Sequence, residues 1–346
     1  MNPLYKVLTI SKIQEEVAGF KTFTFIQDAG NAIAYAPGQY LTLVLKKRNQ
    51  EIRRSYSITS APALGEPLTI GVKRIQNGLM SRYLVDKAQP GDQILTTGAG
   101  GFFILPADIS TYKQIFFLAA GSGITPIYSL LKTVLQLYPA ISVVLIYSNH
   151  SPATTAFREN LIQLAQAFPA QFRIEFLYSN APDLARAHLH KDLLKSFLAQ
   201  YSQAAPAELL CYVCGPLNYM RMCTYALREA ALPAANIRKE NFSTDKPTAP
   251  PLPPDTDQHM VTLDYRQRLY QLPVQYPTTI LQAAKKAGIS LPYSCEAGKC
   301  GNCVARCTAG QVWHSYNEVL TEKELNQGLI LTCVGYPIGG DIRLII

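Results

Sequence analysis

The chain has 346 residues, 48% hydrophobic and 16% charged, which suits two or three soluble domains of about 150 residues with sizeable cores. Its net charge of +8 is spread along the whole length: Lys plus Arg exceed Asp plus Glu by 12 to 8 over residues 1–108, by 11 to 8 over 109–245 and by 8 to 6 over 258–346. That distribution excludes a nucleic-acid-binding arm and suits anionic cofactors or an acidic partner surface. The start, Met1-Asn2-Pro3-Leu4-Tyr5-Lys6, lacks the apolar core of a signal peptide, and no apolar run reaches the ~18 residues of a membrane span. A cytoplasmic protein is expected, and in a reducing compartment its eight cysteines point to metal binding or catalysis before disulfides.

Residues 1–108 read as short strands at 4–13, 20–27, 40–46, 52–58, 67–74 and 93–98 with turn signals between them. With one helix near 79–87, the pattern predicts a small antiparallel barrel. Over 109–243 the rhythm changes. Apolar runs at 115–120, 142–147, 172–178 and 209–214 alternate with helical patterns at 125–137, 153–167, 189–199 and 217–230. Such alternation predicts a doubly wound parallel sheet. Residues 244–258 carry five prolines and read as a semi-rigid spacer. In the last part, 259–346, strands at 260–265 and 269–274 precede a helix at 278–287 and a Cys-rich loop.

That loop carries the most specific signal. Cys295, Cys300 and Cys303 have the spacing C-x4-C-x2-C, and 29 residues separate Cys303 from Cys333. Plant-type ferredoxins hold two irons and two sulfides with this spacing. Gly298 and Gly301 supply the dihedral freedom a loop needs to wrap such a cluster. Structural zinc is the alternative, but zinc usually takes two short pairs, and only Cys300 and Cys303 form one here.

Upstream, Arg54-Ser55-Tyr56-Ser57 offers an Arg for a pyrophosphate, an aromatic face for a flavin ring and a hydroxyl for its N5. Alternation places Arg54 and Tyr56 on one strand face and Ser57 on the other. Taken alone, the tetrapeptide equally fits a common strand with a surface Arg and a core Tyr. Gly78-Leu79-Met80-Ser81 opens the lone helix, where backbone N–H groups and the Ser81 hydroxyl form an anion site; a purely local bond at the helix start is the other reading of Ser81. Gly121-Ser122-Gly123-Ile124-Thr125-Pro126 follows an apolar strand and enters a helix, as a dinucleotide-phosphate turn does, yet departs from GxGxxG. Cys214-Gly215-Pro216 ends another strand at the edge where open α/β sheets bind ligands.

In this order, RSYS, GLMS, GSGITP, CGP and CEAGKCGNC resemble the ferredoxin–NADP reductase superfamily along nearly the whole chain. The nearest branch is the oxygenase reductases with a C-terminal plant-type 2Fe-2S ferredoxin, such as those of phenylacetyl-CoA epoxidase and ketosteroid hydroxylase. The resemblance implies a FAD-binding β-barrel over 1–108, an NAD(P)H-binding α/β domain over 109–243 and a β-grasp ferredoxin domain over 259–346. It implies Arg54 on the FAD pyrophosphate, Tyr56 stacked on the isoalloxazine, Ser57 near N5, Val72 and Lys73 flanking the flavin, and Gly78, Leu79, Met80 and Ser81 at the pyrophosphate. Gly121, Gly123 and Thr125 would line the NAD(P)H site, with Cys214 and Gly215 near the nicotinamide. Cys295 and Cys300 would hold one iron, Cys303 and Cys333 the other. Glu240-Asn241-Phe242 resembles an element placed beside the flavin, so Glu240 and Phe242 join the expected site; a terminal strand with a buried Phe fits it equally. The implied activity moves electrons from NAD(P)H through FAD and 2Fe-2S to a protein acceptor, an oxygenase; a desaturase reductase and a non-turnover redox-sensing module are the alternatives.

NADPH-preferring relatives often carry Arg where this chain has His150, which cannot offer the same fork to a 2′-phosphate. Arg158 is the next cation in sequence, with a solvated helix face as its other role. His188 and His190 show no third ligand. Cys211 and Cys214 form a CxxC on an apolar strand, which argues against thioredoxin-like chemistry. Cys307 fits no ligand slot and is expected as a buried small hydrophobe.

Overall fold

The computed structural model describes residues 4–27, 32–47, 50–245 and 251–346. The first sheet contains β1 (Lys6–Val17), β2 (Phe20–Ile26), β3 (Tyr40–Lys47), β4 (Gln50–Ser57), β5 (Thr69–Lys73) and, after helix α1 (Leu79–Lys87), β6 (Gln93–Gly100). All pairings are antiparallel, in the order β4-β3-β6-β1-β2-β5. A single bridge between Ile58 and Ile70 joins the two edges and closes the barrel. Alternate side chains such as Leu8, Ile10, Phe23, Phe25, Leu41 and Leu43 fill it, and Met80 and Leu84 of α1 plug one end. The first strand runs beyond its predicted end at residue 13, because Gly19 at φ +74 turns the chain and pairs Val17 with Phe20.

The second sheet alternates with helices: β7 (Gln114–Ala120), α2 (Ile124–Leu137), β8 (Ser142–Asn149), α3 (Arg158–Ala167), β9 (Phe172–Tyr178), α4 (Leu184–Ala187), α5 (Lys191–Tyr201), β10 (Leu209–Cys214), α6 (Leu217–Glu229) and β11 (Ile237–Glu240). Its order is β11-β10-β7-β8-β9, wholly parallel. Phe117 and Ala119 pack with α2 and α3 on one face. Phe116 and Leu118 pack with α5 and α6 on the other. The helix predicted over 153–167 starts only at Arg158. Residues Pro152–Thr154 form a separate 3-10 turn, and Phe157 adopts φ +59 before the helix.

Barrel and parallel sheet form one compact unit, residues 5–240. Ser129 of α2 donates to the Ser60 carbonyl at 2.7 Å, the Lys132 ammonium pairs with Glu66, and Phe20 meets Phe157 edge-on at 5.8 Å. Gly71 is required there, since a Cβ would sit 2.6 Å from Thr125 Cγ2.

Asn241–Ile346 belong to the other unit. Its mixed sheet has the order β13-β12-β16-β14-β15, from β12 (His259–Tyr265), β13 (Arg268–Val274), β14 (Val304–His314), β15 (Leu329–Leu331) and β16 (Gly335–Ile345). Helix α7 (Ile280–Lys286) packs on β13 and β16, started by a capping box in which Thr279 and Gln282 exchange hydrogen bonds of 3.2 and 2.9 Å; a short α8 (Glu322–Asn326) follows β14. This is a β-grasp arrangement. Residues 246–250 of the expected spacer lie outside the described residues. Its far end is not free. Pro253 is buried, and the Asp255 carboxylate accepts from Gly339 N and His259 Nε2, both at 2.7 Å. These donors, Gly339 first, hold the Asp255 carboxyl down at about 2.

Candidate functional site

Strand alternation leaves Arg54 exposed, with its guanidinium donating to the Arg53 carbonyl at 2.7 Å, and Tyr56 half-buried on the same face. Ser57 turns inward and is buried, and its hydroxyl donates to Glu240 Oε2 at 3.2 Å. Glu240 ends β11 beside Cys214, the last residue of β10, in parallel register. One barrel strand and two sheet strands therefore bring Ser57, Glu240 and Cys214 together. Burial pushes the Glu240 carboxyl up to about 8, opposed only by the Ser57 bond. Burial, then the neighbouring Glu240, raises the Cys214 thiol well above its ordinary range. Burial thus favours the uncharged form of both the carboxyl and the thiol.

Other expected flavin residues divide by what their side chains touch. Val72 and Met80 are barrel core, so only their backbones can face a ligand. Leu79 is exposed. The Ser81 hydroxyl accepts from Ile75 N at 3.1 Å and donates to the Gly78 carbonyl at 3.3 Å, so it is engaged locally. The first-turn N–H groups of α1 have no intrahelical acceptor.

Beside this lies a cleft of about 710 Å³, over the C-terminal ends of β7, β8, β9 and β10. It sits where the strand order reverses, the usual ligand position in doubly wound sheets. Lys73, Gly121, Ser122, His150, His188 and Tyr219 are among its lining residues. Gly123, Thr125, Cys214 and Gly215 are not; they build the floor's packing. A Cβ at Gly123 would meet the Cys214 carbonyl at 2.0 Å, and the Thr125 hydroxyl donates to Ser122 O at 2.8 Å. Ser148 Oγ and Asn149 Nδ2 are buried in the wall without a hydrogen bond of normal geometry, although Tyr219 and Tyr147 lie beside them. A polar ligand would satisfy such groups, so the cleft fits a pyridine nucleotide.

His150 Nδ1 lies 3.0 Å from Ser179 Oγ. Arg158 does not line the cleft and ion-pairs with Glu159 at 2.6 Å. His190 caps α5 by accepting from Leu193 N at 3.3 Å, so the two histidines have separate roles. Among the described residues no group of three or more His, Cys, Asp or Glu is arranged around a single metal ion. Sequence reasoning missed Tyr147, whose buried hydroxyl donates to the Gly121 carbonyl at 3.1 Å and fixes the glycine turn.

In the other unit the four cysteines converge. Cys300 and Cys333 both share hydrogen bonds with the Cys295 sulfur, and Cys333 also with Cys303. The bonds from Cys300 and Cys333 hold Cys295 far below the ordinary thiol range and push its two donors up. These four thiols would ligate the irons of a cluster, and Ala297 N already donates to Cys295 Sγ at 3.4 Å. Gly298 and Gly301 take φ +70 and +76 to wrap the loop. The donor set fits a 2Fe-2S cluster. Cys307 stands apart and is not buried as expected: it is half-exposed on β14, an outer face of the sheet, and its thiol donates to the Ala309 carbonyl at 3.3 Å. Phe242 likewise is 47% exposed rather than buried, because β11 ends at Glu240.

Three domain families match: an oxidoreductase FAD-binding domain over residues 6–104, an oxidoreductase NAD-binding domain over 117–224 and a 2Fe-2S iron-sulfur cluster binding domain over 266–337. Together they define an oxidoreductase with flavin, nucleotide and iron–sulfur domains on one chain. The ferredoxin reductase component of 3-ketosteroid-9-alpha-monooxygenase from Mycolicibacterium smegmatis is 30% identical, covering 97% of this chain and 96% of its own. A component of the 1,2-phenylacetyl-CoA epoxidase of Escherichia coli K12 is also 30% identical, with the same two coverages. The structure of phthalate dioxygenase reductase aligns over 99% of this chain and 98% of its own, with a TM-score of 0.60 at 22% identity, and so shares the fold. The chain belongs to the family of oxygenase reductase components that join a FAD–NAD reductase to a C-terminal 2Fe-2S ferredoxin domain. No helix among the described residues is long and apolar enough to cross a membrane.

Proposed function

We infer that the chain draws electrons from NAD(P)H and delivers them one at a time to a partner oxygenase, by way of FAD and a 2Fe-2S cluster. The observation that carries this is the meeting of Ser57, Glu240 and Cys214 beside the nucleotide cleft, on a chain that also gathers four thiols. FAD, when bound, exchanges both electron pairs and single electrons, and so bridges a two-electron donor and a one-electron cluster.

The chain's own residues bind and orient. Arg54 and the first-turn N–H groups of Leu79, Met80 and Ser81 hold the FAD pyrophosphate, and Tyr56 offers its ring to the isoalloxazine. Gly78, whose own N–H donates to the Ile75 carbonyl at 3.0 Å, sets the helix start. Val72 contributes backbone. Lys73, within 4.0 Å of the Cβ position of Gly121, places positive charge where the nucleotide's phosphates cross the glycine turn. Gly121, Gly123 and Thr125 shape that turn, and Cys214 with Gly215 closes the nicotinamide end. Ser57 donates to Glu240, whose burial favours the uncharged carboxyl, so the pair offers a polar but weakly charged wall beside the flavin position. Phe242 follows them on the chain as an exposed aromatic. Cys295, Cys300, Cys303 and Cys333 hold the irons. We place the flavin domain at 1–108 and the nucleotide domain from 109 to Glu240, short of the expected 243, with the ferredoxin fold itself at 259–346 in the unit that begins at Asn241. The partner is an oxygenase component, as in the names of the relatives.

Cofactor analysis tests this reading. The purified protein is expected to hold about one FAD, two irons and two acid-labile sulfides per chain. Zinc in place of iron, or FMN in place of FAD, contradicts the corresponding assignment.

A further inference from the structure

Residues Asn241–Asp245 form no helix or strand, yet both ends of the segment are held beside the cysteine loop. Asn241 Nδ2 donates to Glu318 Oε2 at 2.7 Å. Lys299 Nζ donates to the Asp245 carbonyl at 2.8 Å. Between these anchors Ser243 N donates to Asn241 Oδ1 at 2.9 Å, and Asp245 N donates to Ser243 Oγ at 3.1 Å. A short segment whose polar groups are satisfied in this way keeps one shape.

Both anchors grip the loop. Lys299 lies between Cys295 and Cys300, and its ammonium also faces the Tyr316 ring at 5.8 Å. Glu318 N donates to the Gly298 carbonyl at 3.0 Å, while the second Glu318 carboxylate oxygen accepts from the Tyr316 hydroxyl. Gly298 lies so near Tyr316 that a Cβ would stand 2.6 Å from its carbonyl oxygen. The neighbour of Gly298 is Ala297, whose N–H points at Cys295 Sγ. Hydrogen bonds to ligand sulfurs raise a cluster's reduction potential and steady its ligands.

We propose that Asn241–Asp245 is a strap that sets the shape of the cysteine loop, with Asn241, Glu318 and Lys299 as positioning residues for the 2Fe-2S cluster. They act through Gly298 and Ala297, not by ligation. The proposal rests on the reading of the four cysteines as a 2Fe-2S site. The strap begins one peptide bond after Glu240, so the segment after the last strand of the parallel sheet is part of the cluster's support.

The test uses the full-length protein with its cofactors and three variants. N241D sets two carboxylates against each other, N241A only removes the donor, and N241D/E318Q restores an amide–carboxylate pair in the reverse sense. Two quantities are read: the cluster's midpoint potential, from an EPR-monitored titration, and the rate of iron release to a chelator. N241D is expected to lower the potential and to speed iron release on the order of tenfold. N241A shifts both in the same direction by less, and the double variant returns both toward wild type. Wild-type values in N241D and N241A, or a double variant no better than N241D, overturn the strap. Wild-type protein without iron and sulfide overturns instead the cluster reading beneath it.

Discussion

Glu240 is a buried carboxyl at the meeting of three strands. Its carboxyl is raised from an ordinary 4.5 to about 8 by burial. A group whose folded pKa is raised favours the folded state fully below 4.5, and that contribution is lost as pH climbs through 8. Glu240→Gln removes the titration, so the Tm of the variant minus that of wild type is expected to grow between pH 4.5 and 8 and then level off. The full effect is bounded at about 5 kcal/mol. A difference that is flat with pH shows that Glu240 is ionised in the folded protein. His150 carries a second expectation. It lines the cleft against Ser179, whereas Arg158 lies outside the lining, bonded to Glu159 and Tyr178. His150→Arg is expected to raise the NADPH-to-NADH ratio of kcat/KM on the order of tenfold, the worth of one charged hydrogen bond. An unchanged ratio places the reading of the 2′-position elsewhere in the cleft. At this scale the sequence was partly legible. Ser57, Cys214 and Glu240 each stood out by local motif, but their meeting joins residues up to 183 positions apart, and no spacing rule reaches across such a contact. Tyr147 and Glu318 were missed for the same reason, since each acts through a hydrogen bond to a distant glycine carbonyl.

At the scale of elements, hydrophobic periodicity located the strands and helices well because each has one buried face. The errors fell where backbone dihedrals intervene. Phe157 in the left-handed region delays α3, and Gly19 extends the first hairpin. Motif reading named GLMS and VK as flavin-site residues without separating side chain from backbone. Alternation on β5 and the inner face of α1 commit the side chains of Val72 and Met80 to the barrel core, which leaves their backbone to face a ligand. Gly123 shows what the GSG turn requires: β10 approaches so closely that no side chain fits. Gly123→Ala is expected to destabilise residues 5–240 by about 1–3 kcal/mol, as overpacking does, and to weaken NAD(P)H binding through the displaced turn. Thermal unfolding and nucleotide titration measure the two effects; a variant with wild-type Tm and affinity contradicts the packing described.

For the whole molecule, the proposed electron path starts in the middle domain, passes to the first and ends in the last, so it does not follow the order of the domains along the chain. The four-cysteine spacing and the proline-rich segment announced a separate C-terminal unit in the sequence. Less legible was that Asn241, before this segment, and Asp255, within it, are tied into that unit through Glu318 and Gly339, contacts that proline content does not encode. The central claim is that electrons leave the flavin through the thiolate-held cluster. Cys333→Ser removes one ligand while leaving residues 5–240 untouched, and Cys307→Ser serves as the control, since Cys307 lies apart from the other four thiols. The most direct measurement is NADH-driven reduction of ferricyanide and of cytochrome c by the two variants. Ferricyanide takes electrons from the flavin, so both variants are expected to reduce it at the wild-type rate. Cytochrome c reduction is expected to fall steeply in Cys333→Ser and to persist in Cys307→Ser; a Cys333→Ser protein that reduced cytochrome c as fast as wild type would contradict the path.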